Sequence, residues 1–229
     1  MRSRLTGISS MATRMLLAEL AADYRQRHGI EVVFESVGGV DAARRVQAGE
    51  AFDLVVLASD AIEQLIASGH VLAGSRRDLV HSGVAIAVRS GAPHPDIGGE
   101  DALRRAVLAA ARIGHSTGPS GVQLLKLFDR WGITPALQGR LIQAPAGVPV
   151  GALVARGEID LGFQQLSELI HLEGIDVLGP MPPSITIDTV FSAGVCTAST
   201  QPDAVSALLD HLTSPLTADA KQRQGMTPA

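Results

Sequence analysis

The chain contains, at residues 112–121, the run Arg112-Ile113-Gly114-His115-Ser116-Thr117-Gly118-Pro119-Ser120-Gly121. Its first four residues are strand-like, and the small residues after them open a periodic apolar stretch that reaches Arg130. This order is typical of a strand, a turn and a helix in an α/β protein. The first amide groups of a helix have no partner within the helix, and the helix dipole adds partial positive charge there. The run therefore predicts an α/β fold and a place where an anion can bind.

Three further turns share this small-residue composition, and each also precedes a periodic apolar stretch. They are Gly7-Ile8-Ser9-Ser10, Ser36-Val37-Gly38-Gly39 and Pro145-Ala146-Gly147-Val148-Pro149. One interpretation is ordinary loop chemistry, because glycine and serine are common in turns. Four such turns in one chain favour the other interpretation, in which several helix starts converge on a cleft that binds an anion.

The rest of the chain predicts two α/β units around mainly parallel sheets. Helices are expected at 12–28 and 40–48, with the pair Ser59-Asp60 capping the next one. A long β-type run is expected over 185–197. Extended segments near 80–88 and 184–195 join the units, so the chain crosses twice between them and forms a hinged, two-lobed clamp. We expect lobe 1 to contain residues 1–82 and 190–229, and lobe 2 to contain residues 83–189.

Composition narrows the classes of function. Of the 229 residues of the chain, 46% are apolar and 3% are aromatic, and the formal net charge is −4. Few aromatic rings and no basic stripe argue against nucleic acid as a partner. No apolar stretch approaches the roughly 20 residues that span a membrane. Because no apolar signal core follows the basic start, the chain as given is expected to be cytoplasmic; removal of a leader makes it periplasmic.

Several polar side chains are candidates for binding an anion. Arg14 lies one helical turn after Ser10 and can reach a carboxylate, although a solvated helix face is the alternative. Gln164 and Gln165 follow a buried strand, so at least one of them is expected to donate to a ligand oxygen.

His115 is the candidate for a catalytic base because it directly precedes the turn at Ser116. Its alternative role is that of a capping or core histidine. The other histidines lack metal-ligand spacing, so neither a metal nor another cofactor is expected. The sequence has no G-x-S-x-G elbow, so a serine hydrolase is not expected. It also lacks a P-loop lysine, so nucleotide hydrolysis is not expected.

The sequence resembles the periplasmic molybdate-binding proteins over nearly its whole length. The residues that carry the resemblance are Ser10, Val46–Leu54, Leu57–Asp60, Pro119–Gly121, Ala155–Gly162 and Gln224–Met226. The resemblance implies a type II periplasmic-binding-protein fold with the ligand in the cleft between two lobes. It also implies oxyanion contacts near Ser10, Gly39, Ser120, Val148 and Gln165.

Two departures from that family affect the expected ligand. The molybdate binders usually have a serine where this chain has Gly38-Gly39, and a tyrosine near Gln165. Fewer hydroxyl groups favour an organic carboxylate over molybdate. The run Gly162–Leu169 is similar to a subgroup that includes a bacterial aconitate isomerase. The full set of expected ligand contacts is Ser9, Ser10, Arg14, Gly38, Gly39, Ser116, Ser120, Gly121, Val148, Gln164 and Gln165.

Two functions remain open from the sequence. The first is a solute-binding protein that holds a small carboxylate or oxyanion in the cleft and works with an ABC permease if it is exported. The second is a cofactor-independent isomerase that moves a proton on a tricarboxylate such as aconitate, with His115 as the candidate base. An anion cleft already stabilises the negative charge that develops in that reaction, so only a base has to be added.

Overall fold

The computed structural model describes residues 4–145 and 147–229 of the chain. These residues divide into two compact units. The first contains the chain up to Ser82 together with Thr189–Ala229, and the second contains Gly83–Asp188. The chain therefore passes twice between the units, near Ser82 and near Asp188, and the first passage lies within one long strand.

Strands and helices alternate along much of the chain. The strands are β1 (Arg4–Ser10), β2 (Glu31–Val37), β3 (Leu54–Ala58), β4 (Arg77–Arg89), β5 (Ile113–His115), β6 (Leu141–Gln143), β7 (Leu161–Gln165), β8 (Ile175–Pro180), β9 (Asp188–Val195) and β10 (Thr227–Pro228). The α-helices are α1 (Arg14–His28), α2 (Gly39–Gln47), α3 (Ser59–Ala67), α4 (Glu100–Ala109), α5 (Pro119–Arg130), α6 (Val150–Ala155), α7 (Leu166–Leu169), α8 (Pro202–Thr213) and α9 (Ala218–Arg223). Short 3-10 turns lie at Met11–Thr13, Thr134–Leu137, Pro183–Ile185 and Pro215–Thr217.

The sheet of the first unit has the strand order β2-β1-β3-β9. Strand β1 is parallel to β2 and β3, whereas β3 and β9 are antiparallel. Helices α1 and α8 cover one face, and α2 and α3 cover the other. Every residue of β3 is buried, which explains why its sequence is a continuous apolar run and not an alternating one.

The sheet of the second unit has the strand order β4-β7-β5-β6, and β8 also pairs with β4. Strand β5 is parallel to β6 and β7, while β4 is antiparallel to β7 and β8. Helices α4 and α5 pack on one face of this sheet, and α6 and α7 pack on the other. Gly114 and Gly162 allow the second face to close, because a Cβ atom on either would lie within 3.1 Å of the Val150 side chain.

Three details of the sequence prediction are wrong, and a fourth holds in part. The central strands β2, β1 and β3 of the first unit are parallel as predicted, whereas the sheet of the second unit is mixed. The run Gly7–Ser10 belongs to strand β1; a Cβ atom on Gly7 would lie 2.5 Å from the Phe34 ring, so the glycine lets β2 pack against β1. Helix α3 begins at Ser59 itself, with Ala58 as its N-cap and no side-chain cap. The expected strand over 185–197 starts late, at Asp188, because a 3-10 turn occupies Pro183–Ile185.

Candidate functional site

Ser9 and Ser10 lie at the carboxyl end of β1, beside the carboxyl end of β2. The register pairs Ser9 with Ser36, and their hydroxyl groups are 2.8 Å apart. Ser9 is completely buried, so its hydroxyl joins the two strand ends. Ser10 Oγ accepts a hydrogen bond from Ala12 N at 3.2 Å. A hydroxyl has one hydrogen besides its acceptor lone pairs, and that hydrogen remains for an oxygen of a bound anion.

Gly38 and Gly39 connect β2 to α2 at the same sheet edge. Gly38 is the N-cap of α2 and has no side chain to bind the first amide groups of the helix. A Cβ atom on Gly39 would lie 3.8 Å from Ser10 Cβ, which shows that the start of α2 borders Ser10. The sequence predicts that Ser10 and Gly39 belong to one anion site, and the first unit brings these two residues together.

Arg14 is the first residue of α1 and is exposed. The hydrogen bond that its side chain makes within the described chain runs from Nη2 to Met15 Sδ, at 3.9 Å. No carboxylate of the described residues pairs with it, so its charge is available to a ligand. This arrangement fits both interpretations of Arg14, a solvated helix face and a carboxylate contact.

The Ser116–Gly121 turn joins β5 to α5 in the second unit. The hydroxyl groups of Ser116 and Ser120 are 3.1 Å apart, so one donates to the other and one hydrogen remains for a ligand. The N-cap of α5 is Gly118, which supplies no side-chain cap, and Pro119 occupies the first turn. Gly121 is sterically required, because a Cβ atom there would lie 2.0 Å from Ser116 O.

His115 is buried, with 6% of its surface exposed. Its Nδ1 lies 3.0 Å from Ser116 O. A carbonyl oxygen can only accept, so Nδ1 carries a hydrogen and donates it to Ser116 O. The ring borders α5, since a Cβ atom on Gly121 would lie 3.2 Å from Nδ1. His115 therefore stabilises the turn after β5, and a role as base stays a prediction.

Val148 belongs to the turn Pro145–Pro149, whose Ala146 lies outside the described residues. The backbone N–H of Val148 donates to Pro145 O at 3.0 Å. The amide expected to contact an oxyanion is thus already hydrogen-bonded within its own turn.

Gln164 and Gln165 end strand β7, and each is only 3% exposed. Gln164 Oε1 accepts from Gly151 N, in the first turn of α6, at 3.1 Å. Gln164 Nε2 donates to Glu168 Oε1 at 2.8 Å. Both ends of the Gln164 amide are therefore engaged within the second unit. Gln165 is the N-cap of α7, at the carboxyl end of β7, where the resemblance predicts a ligand contact.

Glu168 and Ser167 are polar residues of α7 that the sequence reasoning did not single out. Burial raises the pKa of the Glu168 carboxyl to about 7, and the hydrogen bond from Gln164 opposes this with a smaller effect. Ser167 Oγ is buried and has no hydrogen-bond partner within the described chain. Buried hydroxyl groups normally have a partner. The signal for both was available in the run Gly162–Leu169, where polar residues directly follow a buried strand.

The described residues show no arrangement of three or more His, Cys, Asp or Glu side chains that could hold a metal ion. None of the helices within residues 4–145 and 147–229 has the length and apolar character that crossing a membrane requires. The Glu168 carboxyl lies in α7, and in each unit the polar groups at the carboxyl ends of the strands are hydroxyl, amide and backbone N–H groups. Such donors suit oxygen atoms of an anionic ligand.

Two sequence relatives connect this arrangement to known proteins. The chain is 37% identical to an aconitate isomerase of Pseudomonas sp. over 230 residues, which cover 98% of this chain and 87% of the relative. It is 25% identical to the molybdate-binding protein ModA of Azotobacter vinelandii over 209 residues, which cover 87% of this chain and 80% of that protein.

Solved structures show the same fold. The periplasmic molybdate-binding protein of Azotobacter vinelandii superposes with a TM-score of 0.82 at 18% identity, covering 98% of this chain and 99% of that one. The sulfate-binding protein SubI of Mycobacterium tuberculosis H37Rv superposes with a TM-score of 0.79 at 18% identity, covering 99% and 87%. The predicted α/β class and the resemblance to molybdate-binding proteins are confirmed. Residues 5–227 match the family described as bacterial extracellular solute-binding protein, and the chain belongs to that family.

Proposed function

We propose that this protein binds a small organic carboxylate through hydroxyl groups and helix N-termini at the carboxyl ends of its strands. The observation that carries the proposal is one arrangement that occurs in both units. In the first, the Ser10 hydroxyl borders the start of α2, whose N-cap has no side chain. In the second, the Ser116 and Ser120 hydroxyl groups lie at the start of α5, whose N-cap is also glycine.

The physical reason is that each arrangement leaves donors without an acceptor. No cap side chain binds the first N–H groups of α2, which point out of the helix. In α5, Pro119 has no N–H and the Gly121 N–H donates to Gly118 O at 3.0 Å, so the N–H of Ser120 is the one that points toward a ligand. Each helix adds the positive end of its dipole. A carboxylate accepts several hydrogen bonds, and charge-assisted ones are stronger than neutral ones. The groups of Gln165 and Arg14 complete the proposed set.

The choice of carboxylate over molybdate follows from the departures at two positions. The resemblance implies that Gly38-Gly39 stands where the molybdate binders usually have a second serine, and that Gln165 lies near the position of their tyrosine, so this chain has one hydroxyl fewer there and no tyrosine ring. Such a site offers fewer hydroxyl groups to a tetrahedral ion such as molybdate. It also has more room, which suits a larger and flatter anion. The aconitate isomerase relative supports a tricarboxylate. As a member of a solute-binding family, the protein is proposed to act in the periplasm and to deliver its ligand to an ABC permease.

Isothermal titration calorimetry against molybdate, sulfate, citrate, trans-aconitate and cis-aconitate tests this proposal. We expect heat from at least one di- or tricarboxylate and little from molybdate. Ser10→Ala and Ser120→Ala should each weaken the interaction, while Ser206→Ala should not, because its hydroxyl bonds Pro202 O within α8. Tight binding of molybdate with no response to any carboxylate would reverse the assignment.

The second candidate is an isomerase that moves a double bond in a tricarboxylate. Two observations favour it: the 37% identity to an aconitate isomerase along almost the whole chain, and an ionisable carboxyl, Glu168, with a pKa of about 7 beside the expected contact residues. The reaction removes a proton from a carbon next to a carboxylate and returns it elsewhere, so it needs a base and donors on the carboxylates. Conversion of trans-aconitate to cis-aconitate by the purified protein, without added metal or nucleotide, is the expected result.

A further inference from the structure

A chain of hydrogen bonds in the second unit ends at the Glu168 carboxyl. It starts at Gly151 N, which donates to Gln164 Oε1, and continues from Gln164 Nε2 to Glu168 Oε1. The backbone donor is fixed in the first turn of α6. Because a backbone N–H can only donate, the Gln164 oxygen must face Gly151, and its NH₂ group must face Glu168. The orientation of the amide is thus determined by the backbone.

This geometry holds one oxygen of Glu168 and leaves the other for a proton. Within the described chain, the bond from Gln164 is the one hydrogen bond that the Glu168 side chain makes. An oxygen that accepts from an amide is satisfied whether the carboxyl is ionised or protonated, so the second oxygen can gain or lose a proton without breaking the contact. Glu168 is half-buried between Ser167 and Leu169, which are both buried.

Burial, and not a charged neighbour, determines the acidity of this group. Burial raises the pKa of Glu168 to about 7, and the hydrogen bond from Gln164 is the other contribution. Strand β7 and helix α6, which pack against α7, contain no ionisable residue in Leu161–Gln165 or Val150–Ala155. The nearest ionisable residues along the chain are His171 and Glu173. At neutral pH both forms of Glu168 are populated, which suits a group that accepts and returns a proton.

Two other carboxyl groups of the second unit, those of Glu100 and Asp176, have lowered pKa values. A hydrogen bond from the Trp131 indole lowers the pKa of Glu100, and one from His94 lowers the pKa of Asp176. Both carboxylates are held ionised at the surface by their partners. Their partners thus favour the ionised form, which is the opposite of the effect of burial on Glu168.

We propose that Glu168 is the proton-transfer group for the isomerisation of a tricarboxylate, and that Gln164 is the positioning residue that holds it. This inference rests on the second proposed function. The Glu168 carboxylate removes a proton from the methylene carbon, so that a C–H bond breaks and an O–H bond forms. The electron pair spreads over the neighbouring carbon–carbon double bond and carboxylate. The acid then returns the proton to the far carbon, which shifts the double bond and regenerates the carboxylate without an oxidant or a co-reactant.

His115 lies on the other face of the same sheet. Gly114 and Gly162 face Val150 of α6, and side chains alternate along a strand, so His115 faces α5. Gln164 faces α6, as its bond to Gly151 shows. The two candidate bases are thus separated by the sheet, and substitution of each distinguishes them.

The experiment follows trans-aconitate by proton NMR in D₂O with the full chain. Two signals are measured: exchange of the methylene protons for deuterium, and formation of the cis isomer. Glu168→Gln keeps the size of the side chain and its bond to Gln164 but cannot accept the proton. We expect both rates to fall about 100-fold or more, with trans-aconitate binding retained in calorimetry. Glu173→Gln makes the same charge change at an exposed residue of this unit and should convert at the wild-type rate.

A pH profile adds a readout that a merely structural role would not change. The wild-type kcat/KM should rise as pH increases through about 7, the pKa to which burial raises the Glu168 carboxyl. If Glu168→Gln fails to fold, Glu168→Asp keeps a carboxylate one methylene shorter and should retain a slower rate with the same rising profile. Gln164→Ala should lower kcat more than it raises KM.

The possible outcomes are separable. Loss of exchange in Glu168→Gln, with binding kept, supports the inference. Exchange at the wild-type rate in Glu168→Gln overturns it, as does loss of exchange in His115→Ala alone. Wild-type protein that binds trans-aconitate but neither exchanges nor converts it also overturns it while leaving a binding protein. Wild-type protein that binds no carboxylate overturns the proposed function itself.

Discussion

Gly121→Ala is expected to destabilise the turn that carries Ser116 and Ser120, the proposed contacts of the second unit. Gly121 is the third residue of α5, and a Cβ atom there would lie 2.0 Å from Ser116 O and 2.9 Å from Ser116 C. These are backbone atoms, which cannot rotate away as the end of a side chain can. The substitution therefore requires β5 and α5 to separate at their junction.

The size of the effect follows from that contact. Real Cβ atoms essentially never approach a neighbour closer than 3.0 Å, so Ser116 O has to move by about 1 Å. Overpacking of this kind typically costs about 1–3 kcal/mol. Alanine gains up to about 1 kcal/mol over glycine in a helix, which offsets part of the loss. We expect a net loss of about 1–2 kcal/mol, which lowers the melting temperature of a chain of this size by about 2–8 °C.

Gly39→Ala is the matched control for stability. Gly39 is also in the first turn of a helix at a strand end, but a Cβ atom there would make ordinary contacts, at 3.8 Å, with Leu57 and Ser10. Thermal unfolding followed by circular dichroism should leave Gly39→Ala unchanged or slightly stabilised. Calorimetry should also show weaker carboxylate binding by Gly121→Ala, since the amide groups of α5 move with the turn. Equal melting temperatures for the two variants would refute the steric reasoning.

Three further results are expected. Ser10→Ala should weaken carboxylate binding roughly tenfold or more, because a hydrogen bond to a charged group contributes about 1.5–3 kcal/mol; an unchanged calorimetric affinity would remove Ser10 from the site. Gly118→Ser should stabilise the protein by roughly 0.3 kcal/mol by capping α5, yet weaken binding, because the new hydroxyl competes with the anion for the N–H of Ser120; stronger binding would contradict this. The folded-state pKa of Glu168 is raised from 4.5 to about 7, so its contribution to stability is present at low pH and lost as pH rises through 7. Urea unfolding at pH 5 and pH 8 should show a loss on the order of 2 kcal/mol that is absent in Glu168→Gln.

The α/β class was predictable from the sequence because its signals are local. The buried strand Leu54–Ala58 is a continuous apolar run, and Gly29 ends α1 in the left-handed conformation expected of a helix stop. Small residues after β2 and β5 mark helix starts whether or not the neighbouring structure is known. These features depend on backbone conformation and burial, which a short window of sequence reveals.

The errors arose where a distant part of the chain determines the structure. Gly7–Ser10 looks like a turn because it is small and polar. It is a strand because β2 and β3 pair with it on both sides and Phe34 occupies the space over Gly7. Strand direction has the same origin: no local signal distinguishes β7, parallel to β5, from β4, its antiparallel neighbour.

Among the site residues, too, some properties were predictable from the local sequence and others were not. Serine and glycine at helix starts were recognisable from the sequence, as were the two glutamines after β7. Whether each of these groups is free to bind a ligand was not recognisable, because that depends on hydrogen-bond partners that are distant in the sequence. Ser9 is engaged by Ser36, Val148 N–H by Pro145 O, and Gln164 by Gly151 and Glu168. Gln165 stays a proposed contact because the resemblance to the molybdate-binding proteins places one there.

Glu168 connects the two proposed functions through its charge. A neutral carboxyl in α7 does not repel a nearby anion, whereas a carboxylate there does. Binding of a tricarboxylate beside Glu168 should therefore be tightest below pH 7, where the group is protonated. Proton abstraction needs the opposite, ionised form. A binding protein and an isomerase built on this scaffold thus place opposing demands on one side chain, and a pKa near 7 meets both, because each form is populated at neutral pH.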